Sequence, residues 1–403
     1  MADAVESKNF VDLCDPTAFA EGFPLQTFAR LRQTAAVWFH PATEHTPDTD
    51  GFWNVFRHAE SLLVLKDDDT FSSHTGGARR FGGTSIMDSS RSGVMFNMTD
   101  GSRHTRIKRL LGEAFTSRQI ARLEEPLRQR VSAIFDKAAT GRRIDFVPLC
   151  EELPMLVMCD LLGVPREDRH RLLQMTDPDV NDDAVDVSGM DVFGYVDDLI
   201  QARRANPSDD VLSLMLTATL SDESPAELQD EEIQLLFTLL FEAGVETSRN
   251  ALTGSLLGLA QHPEAFRWLR EHGVARTVVP ELIRYSSPLT YVRRTATTDV
   301  VLADHEIAAG EKVVVWLAAA NRDPAVFPDP DRLKLDRSPN PTVGLGHGPH
   351  LCTGAALAKL QLRVFAEELA VRIASIELAG KPSWSANNKN TSLVFLPLLL
   401  HGA

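Results

Sequence analysis

Along this chain the apolar positions keep a strand period only near the N-terminus and a helical period over most of the remaining length. Val37 to His40 and Phe52 to Phe56 are short runs rich in β-branched and aromatic residues, bounded by Pro and Gly, and they predict a strand pair. A short helix is expected around Ala59 to Leu65. The next segment, Phe71 to Met98, is crowded with Gly, Ser and charge and holds neither period, which predicts a mobile loop. From Arg103 to about Ala139 the spacing is helical, and again over Val147 to Leu162, Arg169 to Met175, Val192 to Arg204 and Val211 to Leu216. The acidic run Thr176 to Val187, which contains Pro178, is expected to be a solvated connection of the kind that acts as a lid.

The strongest helical signal runs from Asp230 to Gln261. Asp230, Glu231 and Glu232 stand where the helix dipole favours negative charge, and Pro263 stops the pattern. At about 1.5 Å per residue this helix is ~48 Å long. Phe237 to Leu240 and Ala251 to Leu259 are apolar on nearly every side, so the helix is expected to cross the core. The reading is a mainly α fold with a smaller β-sheet portion (α+β). No internal repeat and no Gly/Ser/Pro-rich linker marks a boundary, so residues 1–403 read as one domain, β-rich over about 30–60 and helical over about 100–380.

Charge and cysteine usage narrow the classes. Lys and Arg number 41 against 56 Asp and Glu, a net −15 that argues against nucleic acid as a partner. A hydrophobic share of 43% is that of an ordinary globular protein and allows a deep, water-free pocket. Cys14, Cys150, Cys159 and Cys352 lie far apart without a C-x-x-C pair, which predicts a reduced, cytoplasmic protein. MADAVESKNF has neither an export nor a myristoylation pattern, and Leu235 to Leu240 and Leu393 to Leu400 fall short of the ~20 residues of a membrane span. No membrane attachment is expected.

Candidate chemistry begins at GLGHGPHLCTGAALAKLQL. Gly344, Gly346, Gly348 and Pro349 force an irregular loop before Cys352, and a helical pattern opens at Gly354. A sulfur at a helix N-terminus is favoured as thiolate, the form that binds metal. A buried structural cysteine fits the same residue, as does a zinc site built from His347, His350 and Cys352, although that spacing matches no usual zinc pattern. Inside the long helix, Ala243-Gly244-Val245-Glu246-Thr247-Ser248 places small residues beside an acid and an alcohol. The small residues clear space for a bulky partner. The Thr hydroxyl, competing for a backbone carbonyl, is expected to open the helix locally. A buried Glu beside a hydroxyl can relay protons, because desolvation raises its pKa. Glu281 and Arg284 are spaced i, i+3 on one helical face, and the Pro-rich stretch after Asn321 supplies Arg332.

Together these segments resemble the cytochrome P-450 family, from about Asp15 to Leu400. The resemblance implies a long central helix crossing over a buried heme b, with Cys352 as the axial thiolate ligand of the iron. It implies Glu246 and Thr247 as the acid and alcohol that serve oxygen chemistry, and Glu281, Arg284 and Arg332 as a buried structural triad. In TDGSRHTRIKRLL, His104 and Lys108 match heme-propionate partners, as do Arg294 and His350. Ala243, Gly244, Leu345 and Gly346 fall where the heme faces are covered. Leu345 stands where the family generally has Phe, Lys108 where it has Arg, Ser248 where Thr is more common, and Leu333 where an aromatic is frequent.

The implied activity is that of a monooxygenase that uses O2 and two electrons to hydroxylate a lipophilic small molecule such as a terpenoid, steroid, lipid or polyketide or peptide natural product of secondary metabolism. Ring coupling, desaturation, oxidative decarboxylation and a non-catalytic heme sensor are the alternatives. No dinucleotide fingerprint and no iron–sulfur cysteine set is present, so a separate reductase chain is implied. Arg103, Arg106, Lys108, Arg109, Lys359 and Arg363 form a local basic group that suits an acidic ferredoxin. A monomer is expected. The pocket is expected to draw on Phe71 to Met98, Leu172 to Tyr195, Phe237 to Ala243, Pro288 to Val292 and Thr391 to Phe395.

Overall fold

A computed structural model describes residues 10–169, 171–172, 187–219 and 227–403. The acidic connection Thr176 to Val187 falls almost wholly outside them, as does most of the helix expected over Arg169 to Met175.

The strand pair forms as expected: Val37–His40 runs antiparallel to Phe52–Val55, with Val37 opposite Val55. Its further partners come from far along the chain. Phe52–Val55 pairs in parallel with Lys312–Val315, which pairs with Val292–Ala296, which in turn pairs with Phe71–Ser72. This five-stranded sheet therefore ties the N-terminal segment to residues 292–315. A second sheet of three strands joins Thr140–Asp145, Pro397–Gly402 and Ile373–Leu378.

Helices make the main core. The spacing from Arg103 to Ala139 resolves into two, Gly101–Ala114 and Ser117–Ala138, because Thr116 takes an extended conformation and its hydroxyl caps the second helix at Gln119. Val147–Leu162 and Asp230–Gln261 have the bounds their apolar spacing predicts. A capping box of Gln229 and Glu232 starts the long helix. Its apolar middle, from Ile233 to Leu259, packs against Val147–Leu162, Val187–Ala205, Val278–Ser286 and Ala355–Arg372, so it does cross the core. Phe71 to Met98 is irregular except for Phe71–Ser72 and a short turn of helix at Phe96–Met98.

Behind the cysteine loop, Glu281 is wholly buried and fully paired. Arg284 meets it through two hydrogen bonds of 2.7 and 2.8 Å, and Arg337 Nε lies 3.1 and 3.0 Å from its two oxygens. The third member of this triad is thus Arg337, which corrects the expectation of Arg332. Arg332 is 60% exposed and pairs with Glu264 at 3.2 Å. It contributes only its backbone carbonyl, which accepts from Arg284 and Arg337.

Candidate active site

GLGHGPHLC folds into a turn that leads into the Ala355–Arg372 helix. Gly346 and Gly348 have φ of 77° and 69°, and a Cβ on Gly348 would stand 2.4 Å from the backbone oxygen of Leu65. Only glycine meets both conditions without strain. Gly346 N donates to Val343 O at 2.8 Å and Cys352 N to Leu345 O at 2.9 Å. Lys108 clamps the outer part of the turn, its ammonium donating to the carbonyls of Pro349 and Leu351. Cys352 thereby reaches the wall of a cavity of about 310 Å³, together with Leu345 and Gly346.

Cys352 is open to this cavity yet deep within the protein. Burial pushes its thiol pKa up; the Gly354 amide and the cations of Lys108 and Lys359 oppose that and do not overcome it. The amide at the helix N-terminus favours the thiolate in the expected sense, but burial outweighs it. A metal cation held at the sulfur would supply the missing charge.

The facing wall belongs to the long helix, through Ala243, Gly244, Thr247 and Ser248. Thr247 Oγ1 donates to Ala243 O at 2.6 Å, but the helix continues unbroken, so the hydroxyl does not open it. A Cβ on Gly244 would lie 2.6 Å from Met158 Sδ, so this glycine eases the crossing with Val147–Leu162, where any larger residue would displace the Met158 side chain. Glu246 stands off the wall. Its carboxylate accepts from Asn390 Nδ2 at 3.0 Å, and burial pushes its pKa up against the opposing charges of Arg249 and Lys389.

His104, Arg294 and His350 close one edge. The guanidinium of Arg294 is wholly enclosed; burial lowers its pKa to about 10, and it donates to the Arg293 carbonyl at 2.9 Å without an ion pair among the described residues. His350 Nε2 lies 2.9 Å from Asp100 Oδ1 and 3.2 Å from Ser73 Oγ. Burial opposes the charge on Asp100, but hydrogen bonds from His350, Ser72 and the His74 amide outweigh it and hold the carboxyl at about 2. Burial also lowers His104 to about 4, with His350 and Lys108 adding to the effect. Lys108, turned to the loop carbonyls, is not part of this edge.

These walls fit a flat, iron-centred macrocycle with two carboxylates. Sulfur stands on one side, small residues on the other, and a buried cation without a counter-ion beside two imidazoles at the edge. A zinc site from His347, His350 and Cys352 does not form: the metal-capable clusters among the described residues are Asp12, Cys14, His40 and Asp68, Asp100, His350.

Several contributors escaped the sequence reading. Asp100, within TDGSRHTRIKRLL but not singled out there, hydrogen-bonds His350 and is itself held by Ser72, and Asn97 lines the cavity from the short helical turn Phe96–Met98. The expected pocket segments Phe71 to Met98, Phe237 to Ala243 and Pro288 to Val292 each contribute lining. Thr391 to Phe395 does not. Of Leu172 to Tyr195, no described residue lines the cavity. In the basic group, Arg103 pairs with Glu232 and Arg363 with Glu124 and Glu367, leaving Arg109 and Lys359 as exposed cations without an ion pair among the described residues.

Residues 168–272 and 273–372 match the family model described as Cytochrome P450. The chain is 43% identical over 404 residues to the putative cytochrome P450 126 of Mycobacterium tuberculosis, covering 97% of this chain and 98% of that one. It is 32% identical to linalool 8-monooxygenase of Pseudomonas putida, over 96% of this chain and 99% of that protein. A solved Mycobacterium marinum cytochrome P450 in complex with pseudoionone superposes with a TM-score of 0.86 at 31% identity, covering 96% of this chain and 98% of that one.

Proposed function

The chain belongs to the cytochrome P450 family and is a heme-b monooxygenase acting with O2 on a lipophilic substrate, and from that premise we propose that Cys352 Sγ would hold its heme iron. The observation that carries the assignment is the pairing of Cys352 on one wall with the buried, counter-ion-free Arg294 on the edge of the same cavity. Arg294, His104 and His350 receive the propionates. Ala243, Gly244, Leu345 and Gly346, which line the cavity, would pack against the ring.

When bound, thiolate-ligated heme activates O2 so that one oxygen atom enters the substrate and the other leaves as water. The chain's own residues manage protons and water. Thr247 Oγ1, at present donating to Ala243 O, is placed to release that bond and donate into the cavity. Burial raises the pKa of Glu246, one residue away, which suits its carboxyl to exchange protons, while the Asn390 amide donates to it and opposes that rise. Leu239, Leu240 and Leu289 make the wall apolar and keep bulk water out.

Hydroxylation is the reaction, and the substrate is a terpenoid, steroid, lipid or related natural product of secondary metabolism. The linalool-oxidising relative and the pseudoionone-bound neighbour support the first of these classes. An acidic ferredoxin with its reductase supplies the electrons, with the exposed cations Arg109 and Lys359 as its docking contacts. No helix among the described residues is long and apolar enough to cross a membrane, which supports a cytoplasmic enzyme.

The assignment is tested by the optical spectrum of the ferrous carbonyl complex. The wild type is expected to show the red-shifted Soret band of thiolate ligation, and C352S to lose it while R294L loses heme content. A C352S spectrum identical to the wild type would remove Cys352 from the iron.

A further inference from the structure

The turn between the paired strands Ser383–Trp384 and Leu393–Phe395 presents two adjacent side chains that part ways. Asn390 Nδ2 donates to Glu246 Oε2 on the long helix at 3.0 Å, while Lys389 Nζ donates to Ser85 Oγ of the irregular loop. The Lys389 side chain is half-buried and faces the carboxylates of Glu242 and Glu246, yet among the described residues its ammonium forms no ion pair. A neutral amide holds the acid, and the cation next to it in sequence does not.

Elementary electrostatics favours the opposite choice, since a half-buried carboxylate gains more from an ammonium than from an amide. The placement of Ser85 accounts for the difference. Its carbonyl accepts from Arg293 Nη1 at 3.3 Å, the Thr84 carbonyl accepts from Arg293 N at 3.0 Å, and Ile86 N donates to the Tyr291 hydroxyl at 3.2 Å. Residues 84–86 are thereby anchored to the five-stranded sheet. The turn is anchored as well: Asn387 Oδ1 accepts from the amides of Lys389 and Asn390 at 2.8 and 3.2 Å, and Asn388 Nδ2 donates to Leu13 O at 3.0 Å. These two anchored segments bring Ser85 Oγ to the ammonium and Asn390 to the acid.

The charged groups that act on Glu246 come from three elements: Glu242 and Arg249 from its own helix, Glu151 from Val147–Leu162, and Lys389 from the turn. Arg249 is taken up by Glu151 at 3.2 Å. Lys389 is therefore the cation divided between a hydroxyl and the acid. Burial raises the Glu246 pKa, with Arg249 and Lys389 opposing, and direct contact with the ammonium would lower it further. An acid paired in that way stays ionised near neutral pH and has no proton to pass on.

We propose that Ser85 is a positioning residue that holds the Lys389 ammonium off the Glu246 carboxylate, leaving Asn390 as the partner of the acid and Glu246 able to carry a proton. Its consequence for turnover rests on the reading of Glu246 as a proton source for Thr247.

The test is infrared titration of the heme-loaded ferric protein, following the carbonyl stretch of the protonated Glu246 carboxyl, identified by its loss in E246Q. S85A frees Lys389 to turn to the acid and is expected to lower the proton affinity of Glu246 about tenfold or more. K389M removes the cation and is expected to raise it, and the double variant S85A/K389M should titrate as K389M does. S85T keeps the hydroxyl and is expected to titrate as the wild type. A merely structural Ser85 would not give these opposite signs. An S85A titration at or above the wild-type value overturns the proposal, as does a lowering that persists when Lys389 is also removed. The alkaline limb of turnover across pH is a separate readout. A limb that stays in place in S85A while the infrared titration moves would remove Glu246 from proton supply and leave the role of Ser85 standing.

Discussion

His104 and His350 stack their imidazoles with centroids 4.1 Å apart and planes 28° apart, on the edge of the cavity that also holds Arg294. Phe96 covers the other face of His104 at 4.9 Å. Two protonated rings in that arrangement repel each other, and Arg294 adds to the repulsion. Burial lowers the pKa of both rings; the Asp100 carboxylate hydrogen-bonds His350 alone and opposes the effect there, so His104 is the more strongly depressed of the two.

This depression makes stability depend on pH. His104 is held at about 4 in the folded chain against about 6.5 when unfolded, so between those values the unfolded chain binds more protons. Stability therefore rises with pH across that window and is lost on acidification from about 6.5 toward 4, by ~3 kcal/mol for this group. Urea midpoints of the heme-free protein measured across the window should fall accordingly, and H104F should flatten the slope. Equal slopes in the two proteins would assign the acid sensitivity elsewhere.

The exchange of Arg332 for Arg337 makes a second prediction. Arg337 is buried on Glu281, so R337A leaves a buried carboxylate short of a partner and should cost about 3–5 kcal/mol. Arg332 is an exposed cation on Glu264, and R332A should cost at most about 1 kcal/mol. Denaturant melts of both variants decide the matter. A larger loss in R332A would restore the assignment read from sequence.

This exchange also shows where sequence reading stops. The long helix, Val147–Leu162 and the cysteine turn were legible because each depends on local pattern: apolar period, acids at an N-terminus, glycines before a cysteine. Choosing between two arginines five residues apart in a Pro-rich coil needs the path of that coil, which no period encodes. Lys108 was placed correctly on the helical face it shares with His104, yet its long side chain reaches the loop carbonyls instead of the cavity. Asp100 lies inside TDGSRHTRIKRLL, yet only the packing of distant segments brings Ser72 and His350 to it.

Glycine positions at the site differ in what stands opposite them, and this separates their tolerance. At Gly348 a Cβ meets the backbone of Leu65 while φ is positive, so neither the residue nor its neighbour can yield. At Gly244 the neighbour is the flexible end of Met158. G348A should therefore lose most of its heme on purification. G244A should retain heme with a stability loss of about 1–3 kcal/mol that M158A partly relieves. Heme-to-protein absorbance ratios and melts of the single and double variants measure both effects, and full heme occupancy in G348A would contradict the backbone argument.

Glu246 and Asn390 give the last prediction. The Asn390 amide donates to the Glu246 carboxylate and so favours its charged form, against the burial that favours the neutral one. Removing the donor in N390L should raise the Glu246 pKa further. If Glu246 supplies protons to Thr247, turnover declines as Glu246 ionises, and the alkaline limb of the rate profile moves to higher pH in N390L. E246Q, which cannot ionise, should lose that limb altogether, together with about 10²-fold in turnover. T247A should keep substrate affinity but divert consumed oxygen from product to peroxide, because the hydroxyl facing the cavity is gone. Product formed per oxygen consumed, followed across pH in all three variants, distinguishes this relay from a structural role: a structural Glu246 would leave the limb of N390L where it stands in the wild type.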